Sequence, residues 1–143
     1  MQALLHQCEV VAQQSPDNNR KVGCIITDAT GQVIVSACND LVRGAQKTEA
    51  RCCKPLKYQW IEHAERNAIY AAARNGIPLA GTTMYINWFP CVECCRCVIQ
   101  SGISKLVSPT RPDTEHHRWG DSFKTALQML DEVGTEVIYV DEQ

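Results

Sequence analysis

A chain of 143 residues with a formal net charge of -2 has room for one domain built on a central sheet with flanking helices. That charge gives no overall footprint for gripping a nucleic-acid backbone. No stretch has the length of a membrane span, and the first fifteen residues lack the basic start and continuous apolar run of a secretory signal. Nine cysteines in that context read as reduced thiols of a cytoplasmic protein, two as metal ligands and most of the rest as small buried apolar residues.

Leu4, Leu5, Cys8, Val11 and Ala12 recur at helical spacing, so residues 2–14 are expected to form an amphipathic helix. Ser15-Pro16-Asp17-Asn18-Asn19 then turns the chain. Residues 22–27 and 32–38 are β-rich runs separated by Asp28-Ala29-Thr30-Gly31, the pattern of an antiparallel hairpin. Residues 39–59 hold no period and read as a long ordered loop, a length usually tied to function. A helix is expected from Trp60 to Asn75-Gly76, with Pro78 just beyond.

Gly81 leads into a strand over 82–87. Trp88-Phe89-Pro90 turns that strand into a cysteine-bearing helix ending near Ser101-Gly102. A short strand over 105–108 is followed by an irregular loop, 109–120, that carries His116, His117 and Trp119. Leu127, Leu130 and Val133 mark a last helix closed by Gly134, and 136–140 is the final strand. After the hairpin the rhythm is helix, strand, helix, strand, helix, strand. Parallel crossovers in a three-layer α/β/α sandwich follow from it.

The chemistry is concentrated in two short runs. His63-Ala64-Glu65 and Pro90-Cys91-Val92-Glu93-Cys94 spell H-x-E followed by P-C-x-x-C, the signature of zinc-dependent nucleobase deaminases. Zinc takes one imidazole and two thiolates here and keeps a fourth position for water, whose pKa it lowers towards roughly 7. Glu65 then serves as proton shuttle and not as a ligand. Cys91 and Cys94 are three residues apart, so on a helix their sulfurs share a face. Pro90 suits a position just before or at a helix start. A purely structural zinc would need a fourth protein ligand, which neither run supplies.

Nearly the whole chain resembles the cytidine deaminase superfamily, and within it the deoxycytidylate (dCMP) deaminase family. The resemblance is carried by Ser15-Pro16-Asp17, Lys21-Val22-Gly23, Asn39, Arg43-Gly44, the run from His63 to Ile69, Pro90 to Cys94, and Gln100 to Ile103. It implies a five-stranded mixed sheet of order 2-1-3-4-5, with the site at the carboxyl end of the parallel strands. It implies His63, Cys91 and Cys94 as ligands of Zn2+ and Glu65 as acid/base. The backbone amides of Ala64 and Cys91 would hold the pyrimidine carbonyl, and Asn39 would meet base and sugar. A homo-oligomer, dimer or hexamer, is implied as well. Ala37-Cys38-Asn39-Asp40 departs from the Gly-Tyr-Asn-Gly of regulated relatives, which puts allosteric control by nucleotides in doubt.

Other side chains keep two readings. Arg43, with Lys47, Arg51, Lys54 and Lys57 on the same loop, and Arg111 are candidates for a nucleotide phosphate or are ordinary surface charges. Trp88, Phe89 and Trp119 stack on a base or pack in the core. Cys95 is a core thiol below the metal site, and Cys52 and Cys53 lack a full ligand set for a second zinc. The expected activity is hydrolytic deamination of dCMP to dUMP and ammonia. Its rivals are deamination of a free base or nucleoside such as guanine, a cytosine analogue or cytidine; editing of a nucleic acid, which the charge disfavours; and a zinc-stabilised binding protein without turnover, in which Glu65 would have no task.

Overall fold

Strand β1 (Gly23–Thr27) explains the architecture, because all five of its residues are buried. Only a strand covered on both faces can be so uniformly buried. The computed structural model describes residues 1–143 and places β1 inside a five-stranded sheet. β2 (Val33–Cys38) lies on one side of it and β5 (Thr83–Ile86), β6 (Lys105–Ser108) and β7 (Glu136–Tyr139) on the other, in the order β2-β1-β5-β6-β7. β1 runs antiparallel to both neighbours, while β5, β6 and β7 are mutually parallel. The mixed sheet of order 2-1-3-4-5 is thus present, since the two-residue β3 (Asp40–Leu41) and β4 (Ile61–Glu62) pair only with each other.

Side-chain alternation divides the core in two. Cys24, Ile26, Met84, Ile86 and Leu106 point into the larger cluster, where α3 (Ala64–Asn75), α4 (Val92–Gln100) and α5 (Gly120–Val133) bring Ala68, Val98, Phe123 and Leu130. Ile25, Tyr85 and Val107, each one residue out of step, face Leu5 and Cys8 of α1 (Gln2–Ala12). This period of two is what a pleated strand requires. Burying each large apolar side chain contributes roughly 1.5–3 kcal/mol. α1 approaches β1 so closely that a Cβ on Gly23 would lie 1.8 Å from the Cys8 carbonyl oxygen.

Three expectations differ in detail. The helix expected from Trp60 begins at Ala64; Trp60 instead ends a four-residue helix, α2 (Lys57–Trp60), and His63 is extended with ψ 150°. The stretch 39–59 is not one irregular loop: it holds β3, a 3-10 turn at Ala50–Cys52 and most of α2. Elements of two to four residues are too short to show a period, so the pattern could not reveal them. The last strand stops at Tyr139, and Val140 opens a 3-10 turn. No helix is long and apolar enough to cross a membrane.

Candidate active site

Two helix starts meet at one point. His63 is the N-cap of α3 and Glu65 lies in its first turn; Cys91 is the N-cap of α4 and Cys94 lies in its first turn. His63 is anchored from before the helix, where Glu62 Oε1 accepts its backbone N–H at 2.9 Å and Arg66 pairs with the same oxygen at 2.7 Å. Asn67 Nδ2 donates to the carbonyls of Cys38 and Glu62, which fixes α3 against the end of β2. On α4, the Val92 N–H donates to Ser122 Oγ of α5 at 2.8 Å.

His63 Nδ1 lies 3.3 Å from Cys94 Sγ and 3.7 Å from Cys91 Sγ. The three ligand atoms all lie within 4.8 Å of one another. Nitrogen and sulfur bound tetrahedrally to one zinc are about 3.6 Å apart, given Zn–N near 2.0–2.1 Å and Zn–S near 2.3 Å. The two observed separations bracket that value, so the donor set and its spacing fit one zinc ion. The electrostatics favour it too. Cys91 is pushed down to about 4, first by the hydrogen bond from the Cys94 thiol and then by His63, against its burial. Cys94 is pushed up because it keeps the proton that it shares with Cys91. His63 is raised through its hydrogen bond with Cys91. Metal binding to such a group displaces these protons.

Glu65 is 4 % exposed. Burial raises its carboxyl above the usual range, and the His63 charge opposes that rise. A buried carboxyl whose proton affinity is raised, set in the first turn beside the His63/Cys91/Cys94 group, is suited to general acid–base work. His63, Ala64, Glu65 and Cys91 line a cavity of about 360 Å³. Arg20, Lys54, Tyr58, His117 and Arg118 line it too.

The charges on this lining fall into two groups. Lys57 is paired with Asp17 at 3.0 Å, and Arg66 with Glu62 and Glu93. Arg20, Lys54 and Arg118 have no carboxylate within ion-pair distance. Arg20 is laid over the Trp88 ring at 3.5 Å and Arg118 over the Tyr58 ring at 4.5 Å. Stacking on an aromatic face holds a guanidinium while leaving its N–H fork free for an anion.

Residues 1–110 match the family model of the cytidine and deoxycytidylate deaminase zinc-binding region. The chain belongs to that family. Among the relatives of this zinc-dependent deaminase-family chain is an uncharacterized deaminase in the luxG 3′ region of Aliivibrio fischeri, 30% identical over 132 residues that make up 92% of this chain and 87% of that one. The deoxycytidylate deaminase of Enterobacteria phage T2 is 45% identical over 64 residues, 45% of this chain and 34% of the phage enzyme. The match therefore spans about a third of that enzyme's length. A dCMP deaminase of the cyanophage S-TIM5, solved in complex with dCMP and dUMP, shares the fold with a TM-score of 0.77 at 22% identity, covering 97% of this chain and 95% of the other. Zinc is the family's cofactor, and His63, Cys91 and Cys94 are the one His/Cys/Asp/Glu group of this chain assembled to hold a metal ion.

Set in this family's fold, the residues singled out from the sequence separate clearly. Ala64 lines the cavity and opens α3, so its N–H is one of the first-turn donors that lack an intrahelical acceptor. Asn39 lines it too, but its amide is committed to the chain: Oδ1 accepts the Val22 N–H at 2.9 Å and Nδ2 donates to the Arg20 carbonyl at 2.9 Å. Trp119 and Trp88 line the cavity, whereas Phe89 is buried against Phe123 and Tyr139. Arg43 is not in this group. It lies on an exposed turn, Val42 to Ala45, closed by the Ala45 N–H to Val42 carbonyl bond, and is outside the cavity. Arg51 is also occupied, laid over Trp60 and donating to the Gln46 carbonyl.

Arg20, Arg118 and the pairing of Asp17 with Lys57 went unnoticed in the sequence, whereas Lys54 stands on the loop already read for a phosphate. Only the Ser15-Pro16-Asp17 run hinted at them, since a polar turn before a buried strand needs a hub for its backbone N–H groups.

Proposed function

We propose that this protein is a zinc-dependent hydrolytic deaminase of a cytosine nucleotide, converting dCMP to dUMP and ammonia. The observation that carries the proposal is the pairing, in one cavity, of a zinc-competent His63/Cys91/Cys94 group beside buried Glu65 with a lining of unpaired cations. His63, Cys91 and Cys94 would hold the metal. When bound, zinc supplies a Lewis acid that lowers the pKa of water to near neutrality.

Glu65 carries the protons. It takes one from the attacking water and places it on ring N3 as C4 becomes tetrahedral, then takes the proton of the new C4 hydroxyl and delivers it to the departing 4-amino group, so that the C4–N bond breaks as the C4 carbonyl forms. The sum is cytosine plus water giving uracil plus ammonia. The free first-turn amide of Ala64 and the backbone N–H of Cys91 orient the ring carbonyl. Trp119 and Trp88 offer apolar faces for the base. A 5′-phosphate is matched by the unpaired Arg20, Lys54 and Arg118, and Arg43 has no part in it. The cavity volume lies in the range of small-molecule sites.

The net charge of -2 speaks against a nucleic-acid substrate. Nine unpaired thiols support a reducing, cytoplasmic setting. A single domain acting as a homo-oligomer is proposed on the family resemblance.

Ammonia release measured side by side on dCMP, deoxycytidine, cytosine and guanine tests the proposal. The expected order puts dCMP first by at least about one decade in kcat/KM, the worth of a charge-assisted contact. Turnover of a free base alone would move the protein to another branch of the same chemistry.

A further inference from the structure

We infer that the buried Asp17–Lys57 ion pair is a positioning device that sets the phosphate-binding cations; the inference rests on the nucleotide reading above. Lys57 Nζ lies 3.0 Å from both carboxylate oxygens of Asp17, and the two side chains are each 8% exposed. Removing two charges from water is costly, and a well-packed apolar pair often stabilises a fold as well or better. What the ion pair does supply is a fixed mutual position for two segments 40 residues apart.

Both segments carry cations of the lining. On one side Asp17 is a hub: Oδ1 accepts the N–H groups of Asn19 at 2.8 Å and Arg20 at 3.2 Å, and Oδ2 accepts Asn39 Nδ2 at 3.4 Å. Asn39 in turn accepts the Val22 N–H and donates to the Arg20 carbonyl. The backbone of Arg20 is therefore held at its N–H by Asp17 and at its carbonyl by Asn39. Only the side chain is left free, and Trp88 gives it a surface to lie on.

On the other side, Lys57 opens α2, a helix of four residues. So short a helix has little stability of its own, and its place depends on what it is tied to. α2 presents Tyr58, over which Arg118 lies. One ion pair thereby fixes the supports of two of the three unpaired cations. Asp17 and Lys57 touch no reacting atom in this account and act only through Arg20 and Arg118.

The test compares steady-state kinetics on dCMP and deoxycytidine for wild type, Lys57→Met and the double variant Asp17→Asn/Lys57→Met, with zinc content and thermal unfolding recorded for each. The single variant strands a buried carboxylate and is expected to unfold earlier; the double variant removes both charges and is expected to recover stability. In both, KM for dCMP should rise roughly tenfold, kcat and zinc content should stay near wild type, and deoxycytidine should show a much smaller change. A double variant of native stability that keeps the full wild-type preference for dCMP would reduce the pair to packing and overturn the inference. A wild-type enzyme that does not distinguish dCMP from deoxycytidine would remove the nucleotide reading and the inference with it.

Discussion

The Arg20 guanidinium lies 3.5 Å above the Trp88 ring, although 68 residues separate the two and neither belongs to a deaminase signature. Burial lowers the Arg20 pKa, and Asp17 opposes that change. An arginine partly withdrawn from water with no carboxylate partner is held at a cost that an anionic ligand offsets.

Arg20→Ala is accordingly expected to lower kcat/KM for dCMP by about 10–100-fold, the range of one lost charge-assisted contact, and to change turnover of deoxycytidine far less. Arg43→Ala, on its exposed turn, should leave both substrates alone. Parallel kinetics on the two variants decide between the two arginines, and a reversed result would return the phosphate to the loop after Asn39.

One equivalent of zinc per chain is expected on metal analysis, and it should be lost in Cys91→Ala and in Cys94→Ala. Cys95→Ala should keep the metal. The Cys95 thiol is buried and directed at the Ala126 carbonyl of α5 at 3.7 Å, and it is not part of the His63/Cys91/Cys94 group. Its removal should cost only about 1 kcal/mol of stability, for a small cavity in the core. Loss of zinc in that variant would show that the ligand set is misassigned.

Much of this site was legible because its chemistry is local in sequence. His63 with Glu65, and Cys91 with Cys94, sit two and three residues apart at helix starts, and that spacing is itself the zinc-deaminase signature. The cationic end of the cavity was legible only in part, through Lys54 on the loop after Asn39. Arg20, Lys54 and Arg118 come from three separate connections, and only the path of the chain brings them to one cavity. Arg43 was chosen for its nearness to Asn39 in sequence, and the fold sets it on an exposed turn outside the cavity. Likewise, the strands of the sheet followed from the two β-rich runs before the long loop and the helix–strand rhythm after it, whereas β3, α2 and β4 depend on tertiary ties such as Asp17–Lys57 and Asn67 to the Cys38 carbonyl.

Gly23→Ala should be strongly destabilising. A Cβ there would stand 1.8 Å from the Cys8 carbonyl oxygen and 2.8 Å from the Ala12 nitrogen, so α1 would have to move off β1. Overpacking of this kind costs roughly 1–3 kcal/mol or more, visible as a lower midpoint in urea or heat. An unchanged midpoint would mean that α1 is not seated on β1 as described.

Thiol labelling of the native protein should divide the cysteines. Cys8 is buried and its thiol is pushed up to about 12 by that burial, so little thiolate forms near neutrality. Iodoacetamide should modify the partly exposed Cys53 and Cys97 first and reach Cys8 only on unfolding. Early modification of Cys8 in folded protein would contradict the packing of α1.

Glu65, as the proton carrier beside a zinc that it does not bind, is the centre of the proposed mechanism. Glu65→Gln keeps the shape of the side chain and removes its ability to accept a proton. The decisive measurement is dCMP turnover together with zinc content in that purified variant. The expected result is about one zinc per chain with kcat reduced by at least about 10²–10⁴-fold, the usual contribution of general acid–base catalysis. Near-wild-type turnover, or loss of the metal along with activity, would contradict it.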